Sequence, residues 1–454
     1  MNAYTYRPTW NTIRFASILQ ENATRNSFLE ELNALQFRFG DIVPKKRFEI
    51  DEVLKETFKK YTIVEPNDIM INGLNLNYDF VTQRVAAVKQ RGIITSAYIS
   101  VRPRSDVNAS YYCYLLKSLD AIKLFNGMGT GIRLTLSYSL LKNMKLPIPP
   151  CAEQDQIVRY LDWQVSKINK LIAAKKHQIS VLRERETKLI SSTICGIEEV
   201  PNSLKGALSS INANCKVANL SQLLNGIEQG WSPNAGEETN SSEQWHVLTL
   251  SAIKHGVFHA GANKPIDVAA SVPQQLMLRE GDLLMTRSNT RNLVGEVCIV
   301  DGIDEKTIFS DLIYRLLINE KMAVPKYIMY YLMSSLARHQ IERAAKGSSG
   351  TMPKLSHTDI KKIRVILPSL ESQEEIASRI DAITKSTELI ISGITCSLTK
   401  LVEYRTRLIS DVVTGQIDVR GIEIPDFEMA EETNTDETDD GNEFAEETDE
   451  QEDV

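Results

Sequence analysis

One string of residues occurs twice in this chain and decides its organisation. Leu-Pro-Ile-Pro at 146–149, followed by Glu-Gln-Asp-Gln-Ile at 153–157, returns 219 residues later as Val-Ile-Leu-Pro at 365–368 and Ser-Gln-Glu-Glu-Ile at 372–376. Further identities keep the same offset, including Asp162 with Asp381, Leu182 with Leu401 and Thr187 with Thr406. Self-similarity at a fixed offset indicates a duplicated structural unit.

Each copy predicts a strand, a proline stop and one long helix. Acidic residues just after the proline favour the positive end of a helix dipole, and Gly196 and Gly415 are suited to end the helices. We predict long helices within residues 151–197 and 370–420, each of about 40 residues and so roughly 60 Å long at about 1.5 Å per residue.

Apolar residues recur along both helices at heptad spacing, which is typical of a narrow seam that packs against another helix. The predicted seam consists of Leu161, Ile168, Ile172, Ile179, Leu182 and Leu189 in the first helix and of Ile380, Ile391, Ile394, Leu398, Leu401 and Leu408 in the second. We therefore predict that the two helices pair as an antiparallel coiled coil. The alternative is two unrelated amphipathic helices in separate cores.

The regions before the helices also correspond, although more loosely. Residues 65–70 parallel 279–284, and residues 92–98 parallel 306–312, each pair having the character of a turn followed by a strand. The predicted fold class is α+β, with two mixed α/β domains in tandem repeat, each followed by a long helix. The predicted boundaries are 1–150 for the first domain, 151–197 for its helix, 198–215 for a linker, 216–369 for the second domain, 370–420 for its helix, and 421–454 for an acidic disordered tail.

The net charge of −7 conceals a positively charged body. From Pro425 to Val454 there are 15 acidic and no basic residues, so residues 1–424 carry 52 Lys and Arg against 44 Asp and Glu. A positive body is compatible with a polyanionic partner, because neutralising phosphates releases counterions. No apolar run approaches the ~20 residues that span a bilayer, which predicts a soluble cytoplasmic protein without a membrane partner.

The order of parts resembles the specificity subunit of type I restriction-modification systems. The resemblance rests on the repeated strings above, and on Trp-His-Val-Leu-Thr-Leu-Ser at 245–251 with Gly-Asp-Leu-Leu-Met-Thr-Arg-Ser-Asn-Thr at 281–290. It covers about residues 10–420, and the acidic tail lies outside the family pattern.

The resemblance implies a non-catalytic, DNA-reading scaffold. Two target recognition domains would each read half of a split, asymmetric site in double-stranded DNA, and the helices would act as a ruler that docks two methyltransferase subunits, with restriction/translocase subunits completing the complex. S-adenosylmethionine, ATP and Mg²⁺ are then expected on the partners, with no cofactor, metal or catalytic residue on this chain. The sequence agrees in lacking a GxxxxGK[ST] phosphate loop and a GxSxG elbow.

Candidate DNA-contacting residues are polar and basic side chains in predicted loops, because Arg reads guanine, Asn reads adenine and Lys or Arg contacts phosphate. The candidates are Lys45, Lys46, Arg47, Asn72, Asn75, Arg91, Arg102 and Arg104 in the first half, and Arg287, Ser288, Asn289, Thr290 and Arg291 in the second. The alternatives are an ordinary Ser-Asn turn at 287–291 and solvated faces for the basic clusters.

Two other functions stay open at this stage. One is the specificity subunit of a related methyltransferase or phage-defence system without a translocating nuclease. The other is a coiled-coil scaffold that does not bind DNA. The acidic tail is either a solvating segment or a competitor of DNA for the basic domains.

Overall fold

The structure is a computed structural model, and it describes residues 6–38, 40–45, 51–77, 80, 82–131, 134–196, 215–232, 244–266, 272–303, 306–345 and 352–429. These residues form two compact units, one from residues 6–176 with 395–429 and the other from residues 177–394. Each long helix contributes one part to each unit. Most of the predicted linker at 198–215 lies outside the described residues.

The first unit contains a four-stranded antiparallel sheet with smaller strand pairs around it. Its strands are β1 (Asn11–Arg14), β2 (Leu19–Glu21), β3 (Leu35–Arg38), β4 (Asp41–Pro44), β5 (Thr62–Val64), β6 (Ile69–Ile71), β7 (Val85–Ala87), β8 (Gly92–Ile94), β9 (Ile99–Pro103) and β10 (Lys145–Ile148). Its helices are α1 (Glu52–Lys60), α2 (Ala109–Ala121), α3 (Tyr138–Leu141) and the first part of α4 (Cys151–Cys195). The sheet order is β2-β9-β6-β7, and β1 pairs with β10, β3 with β4 and β5 with β8.

The second unit repeats the four-stranded sheet and the pair between its first and last strands, whereas its smaller sheets differ from those of the first unit. Its strands are β11 (Lys216–Asn219), β12 (Leu224–Gln229), β13 (Trp245–Leu248), β14 (Ile253–Lys254), β15 (Val257–Phe258), β16 (Asn263–Ile266), β17 (Leu283–Thr286), β18 (Val297–Ile299), β19 (Thr307–Phe309), β20 (Ile313–Ile318) and β21 (Arg364–Leu367). Its helices are α5 (Pro325–Met333), α6 (Ser335–Ala344), α7 (His357–Lys361) and the first part of α8 (Leu370–Val413). The sheet order β12-β20-β17-β18 and the pair β11–β21 reproduce the first unit strand for strand, so the predicted tandem α+β repeat is confirmed.

The turn that precedes each central strand shows how closely the copies agree. Before β6, the Asp68 amide donates to the Glu65 carbonyl over 3.0 Å, and before β17 the Asp282 amide donates to the Arg279 carbonyl over 3.1 Å. The third turn position has positive φ in both, 75° at Asn67 and 86° at Gly281. A type II turn requires this conformation, and Gly and Asn adopt it at least cost. The predicted correspondence of 65–70 with 279–284 is confirmed.

A buried glutamine fastens the start of each long helix to the mixed α/β domain that precedes it. Gln154, in the first turn of α4, donates from Nε2 to the Pro149 carbonyl over 2.8 Å and accepts the Asn108 amide over 2.9 Å. Its counterpart Gln373 in α8 makes the same bonds to Pro368 and Val324, at 2.9 Å each. Asn108 and Val324 cap α2 and α5, so one side chain links the starts of two helices.

A hydrogen-bonded tyrosine-aspartate pair also occurs in both units. Its aspartate lies about two helical turns beyond the buried glutamine of the same long helix. The Tyr114 hydroxyl of α2 donates to Asp162 over 2.8 Å, and the Tyr330 hydroxyl of α5 donates to Asp381. Burial raises the pKa of Asp162, and the hydrogen bond from Tyr114 opposes this shift. The identity of Asp162 and Asp381 in the repeat therefore has a structural cause.

The two long helices contact each other in both units, and in the first unit their contacts run in opposite chain directions. In the first unit, Asn169 of α4 accepts from Arg405 of α8 over 2.8 Å, and the earlier Gln156 donates to the later carbonyl of Val419 over 3.0 Å. In the second unit, Arg183 of α4 is paired with Glu388 of α8. A regular coiled coil along the whole seam stays a prediction.

The predicted seam is buried in part. Its buried members are Leu161, Ile168, Ile172, Ile380, Ile391, Ile394 and Leu408, and its half-buried members are Ile179, Leu182, Leu398 and Leu401. The structure differs at Leu189, whose exposed fraction is 37%, while its neighbour Ile190 is buried at 1%. An α-helix has 3.6 residues per turn, so a strict heptad drifts by about 20° per repeat. Over the four heptads from Leu161 to Leu189 this drift adds up to about 80°, which is close to one residue. The buried position therefore shifts from Leu189 to Ile190.

Glycine ends both helices, as predicted. Gly196 follows α4 directly with φ 64°, and Gly415 follows α8 with φ 76°. Both lie in the left-handed region that commonly terminates helices. At Gly415 the space is also closed, since a Cβ atom would lie 2.7 Å from atoms of Arg7 and Trp10.

The chain continues past α8 as a segment that lies along α4. Gln156 also donates to the Ile422 carbonyl over 2.8 Å, and the Ser166 hydroxyl donates to the Glu428 carbonyl over 2.9 Å. We call residues 416–428 the C-terminal strap. The predicted tail began at residue 421, but residues 421–429 are described and make these contacts, whereas 430–454 lie outside the described residues.

We predict that Gln154→Leu destabilises the first unit by roughly 2–4 kcal/mol, because it leaves a buried amide and a buried carbonyl unpaired at about 1–3 kcal/mol each. Gln178→Leu on the exposed side of α4 is the matched control, with an expected change within about 0.5 kcal/mol. Urea unfolding followed by circular dichroism measures both variants. Equal midpoints would refute the structural role of Gln154.

Candidate nucleic-acid interface

The loop that joins β17 to β18 contains the second-half candidates, and it is rigidly braced. The Thr286 hydroxyl donates to the Leu293 carbonyl over 2.9 Å and accepts the Glu296 amide over 3.0 Å. From outside the loop, the Arg338 guanidinium of α6 donates to the carbonyls of Val294 and Asn292 over 2.8 and 3.1 Å. These bonds hold the loop in one conformation without using the side chains at its tip.

The first two candidates in this loop have structural contacts. Arg287 is half-buried, its guanidinium lies 5.9 Å from the centre of the Tyr314 ring, and its Nη1 donates to the Asp311 carbonyl over 3.3 Å. Ser288 is 1% exposed, and its backbone forms a bridge with Lys354. Burial raises the pKa of Tyr314, and the Arg287 charge opposes this rise. A DNA contact by either residue stays a prediction.

The remaining candidates lie nearer the tip. Asn289 accepts the Thr290 amide with its own side chain over 2.8 Å, and the Thr290 carbonyl accepts the amides of Leu293 and Val294. Arg291 and Asn292 between them are exposed. Asn292 was not among the predicted residues, although its place inside the same polar string could have indicated it. The tip thus presents one guanidinium and one amide, the groups that read guanine and adenine.

The corresponding loop of the first unit follows β6 and is organised by a buried arginine. Arg84 is 1% exposed and donates to the carbonyls of Leu74 and Asn75 over 2.7 and 3.4 Å. Asn72 accepts the Leu74 amide over 3.1 Å in an Asx turn, whereas Asn75 is exposed with φ 50°. The sequence alone cannot show that Arg84 is buried and hydrogen-bonds the carbonyls of this loop, because an arginine in a basic run is usually exposed.

The basic candidates of the first half are mostly paired with carboxylates. Arg102 makes two 2.7 Å bonds to Asp68, whose side chain is 2% exposed, and this interaction raises the pKa of Arg102. Arg104 binds Asp106 through two bonds of 2.5 and 2.6 Å, which lowers the pKa of Asp106. Each of these two charges is already paired with a carboxylate, so these arginines supply less attraction for phosphate than their number suggests.

The other basic candidates differ in position. Arg91 is exposed but pairs with Glu65 over 2.7 Å and Glu31 over 3.3 Å. Lys45 is half-buried, and its amide donates to the Ala34 carbonyl over 2.8 Å. Lys46 and Arg47 lie outside the described residues.

Metal clusters and membrane-spanning helices are absent from the part of the chain that the structure describes. Within that part, no group of three or more His, Cys, Asp or Glu side chains is arranged to hold a metal ion. None of the described helices is both long enough and apolar enough to cross a membrane.

Comparison with known proteins identifies the family. The family model of the type I restriction modification DNA specificity domain matches residues 52–181 and 274–399, more than half of the chain. The specificity subunit of the type I restriction enzyme MjaVIII from Methanocaldococcus jannaschii is 23% identical over 372 residues, 80% of this chain and 82% of that protein. The EcoKI specificity subunit from Escherichia coli is 22% identical over 70% of this chain and 67% of its own length. The chain belongs to the type I restriction enzyme specificity subunit family.

A solved structure shows the same fold. A chain from a structure of a type I restriction-modification system, described for its complex assembly and conformational transition, superposes with a TM-score of 0.57 over 91% of this chain and 100% of its own length, at 13% identity. Because the identity is low, this likeness is evidence for the fold alone.

We predict that Arg291→Ala weakens DNA binding and lowers the slope of log K against log salt by about 1, because one phosphate or base contact is lost. Thermal stability should not change, since Arg291 is exposed. Ser288→Val is the contrasting variant and should lower stability, because it forces a larger, branched side chain into a site that is 1% exposed. Fluorescence anisotropy over a salt series, beside thermal melts, separates the two effects. An unchanged affinity and slope in Arg291→Ala would remove this residue from the interface.

Proposed function

We propose that this chain is the DNA-reading subunit of a type I restriction-modification complex, in which each unit reads one half of a bipartite, asymmetric target. The observation that carries the proposal is that the two units share sheet order, turns and buried anchors but differ in the loops at equivalent positions. The loop after β6 presents Asn75, whereas the loop after β17 presents Arg291 and Asn292. Two similar readers with different tip residues favour two half-sites of different sequence.

We further propose that the long helices dock methyltransferase subunits. In the second unit, Leu389 of α8 is 76% exposed, and Ile390 and Val181 are also exposed. In the first unit, Tyr404 and Val402 of α8 are exposed. Large apolar side chains exposed along a helix pair are characteristic of protein interaction surfaces. Restriction subunits would join the complex through these partners.

The proposed chemistry resides in the partners. S-adenosylmethionine would bind the methyltransferase subunits, and ATP with Mg²⁺ would bind the restriction subunits, while this chain supplies no catalytic residue. Methylating an adenine inside a duplex requires that the base be flipped out of the stack. The recognition loops would hold the duplex while a partner extrudes the base. We place this complex in the cytoplasm, where host DNA is accessible.

The proposal predicts that methyladenine appears at one split, asymmetric motif when this chain is expressed with its methyltransferase partner in a host that lacks both. Modification-sensitive single-molecule sequencing measures this, and the partner expressed alone is the control. Replacing Arg291 and Asn292 together by Ala should relax or change only one half of the motif. Absence of any methylated motif, combined with absence of DNA binding by the purified complex, would refute the proposal.

A further inference from the structure

In both units the segment that leads into α3 or α7 is hydrogen-bonded to the start of the loop after β6 or β17, which we call the recognition loop. In the first unit the Leu136 amide donates to the Gly73 carbonyl over 2.8 Å, and in the second the Leu355 amide donates to the Arg287 carbonyl over 2.9 Å. Leu136 and Leu355 are 219 positions apart, which is the offset of the sequence repeat. The contact therefore belongs to the duplicated architecture, and it places a further stretch of chain beside each recognition loop.

In the second unit this neighbouring stretch brings a lysine to the loop. Lys354 forms an antiparallel bridge with Ser288, and the Tyr314 hydroxyl donates to the carbonyl of the next residue, Leu355, over 3.2 Å. Residues directly opposite each other in antiparallel pairing have their side chains on the same face. Ser288 is 1% exposed whereas Lys354 is exposed, so the lysine stem leaves the bridge on the side of Ser288 and its ammonium group reaches solvent.

Lys354 is also close to the tip of the recognition loop. Ser288 is three residues from Arg291, and bridged residues are about 5 Å apart, so the Cα atoms of Lys354 and Arg291 lie at most roughly 16 Å apart. A DNA duplex carries one negative charge per about 1.7 Å of its axis, so a duplex that crosses this distance presents several phosphates. One duplex can therefore contact both cations.

The charge of Lys354 has no carboxylate partner among the described residues. The nearest acidic residue along the chain is Asp359, and its carboxylate accepts the amide and the hydroxyl of Ser356 over 3.0 and 2.5 Å. Arg287 and Arg291 likewise form no ion pair within the part of the chain that the structure describes. This end of the second unit thus has positive charge that is available to an anion, unlike the paired arginines of the first unit.

The first unit has no charge at the corresponding position. Thr135 precedes Lys354 by the repeat offset of 219, and it is exposed and bridged to Thr130. The surrounding backbone contact is kept while the side chain changes from hydroxyl to ammonium. The lysine is therefore not required for the fold of the duplicated unit.

We propose that Lys354 contacts a DNA phosphate beside the recognition loop of the second unit and holds the duplex across the loop tip. A phosphate contact positions a protein on DNA without reading its sequence. Such a role suits a lysine that backbone pairing holds at the edge of the loop. The role depends on the DNA-reading function proposed above, to which it adds a contact outside the loop.

Fluorescence anisotropy of the full chain on a short mixed-sequence DNA duplex, over a series of salt concentrations, tests this contact. Lys354→Ala should lower the affinity and reduce the slope of log K against log salt by about 1, because one phosphate contact is lost. Lys354→Arg keeps the charge and should keep the slope. Lys321→Ala is the matched control, since Lys321 is exposed and follows β20 at the opposite end of the same sheet.

The outcomes separate this contact from the function on which it depends. If the unaltered chain binds DNA but Lys354→Ala has the same slope as Lys321→Ala, the phosphate contact is wrong and the proposed function stands. A second duplex of unrelated sequence should show the same loss, and a loss on only one duplex would indicate base reading instead. Absence of DNA binding by the unaltered chain would contradict both the contact and the DNA-reading function.

A gain of charge in the first unit tests the same geometry in the other direction. Thr135→Lys should raise the affinity and increase the slope by about 1, because it supplies the phosphate contact that this unit lacks. Ser105→Lys makes the same charge change beyond β9, at the opposite end of that sheet, and should have little effect. Equal increases in the two variants would show only an effect of net charge and would contradict a contact beside the recognition loop.

Discussion

The structure depends on one buried hydrogen-bonding side chain that occurs twice. Gln154 and Gln373 each accept the amide that begins a helix of the recognition domain and donate to the carbonyl of the proline that ends a strand. Each is completely buried, so neither amide group can exchange its protein partners for water. Because an unpaired buried polar group costs about 1–3 kcal/mol, the geometry between sheet, short helix and long helix is strongly constrained. The tyrosine-aspartate pairs reinforce the same junction from the next turns.

This constraint separates the parts of each unit that must be the same from the parts that can differ. Turns, central strands and helix starts agree between the units to the level of individual hydrogen bonds. The loops after β6 and β17 are held by different arginines, Arg84 from within its own sheet and Arg338 from a separate helix. The side chains of the exposed tip residues take no part in these bracing bonds. Such a division suits the function proposed above, in which one scaffold reads two different half-sites.

The basic residues of the first recognition domain and those of α4 have carboxylate partners from different parts of the chain. On the recognition domain of the first unit, Arg91, Arg102 and Arg104 are held by carboxylates, so basic residues serve the fold as well as any ligand. On α4, by contrast, residues 163–183 contain no acidic side chain. The chain supplies Glu428 from the strap, and its sequence continues with further acidic residues.

The sequence by itself determined the duplication, the long helices with their proline starts and glycine ends, and the family, because these depend on local conformational preferences and on repetition along the chain. It identified the corresponding turns before β6 and β17, since positive φ restricts the residues that can occupy them. It could not show that Arg84 is buried or that Arg102 is paired with a carboxylate, because these contacts involve carbonyls and carboxylates distant in the sequence, such as Asp68. It placed Leu189 where the structure buries Ile190, because heptad spacing ignores the 3.6-residue turn over long distances. The path of residues 416–428 along α4 was likewise decided by tertiary structure, since their bonds join residues more than 250 positions apart.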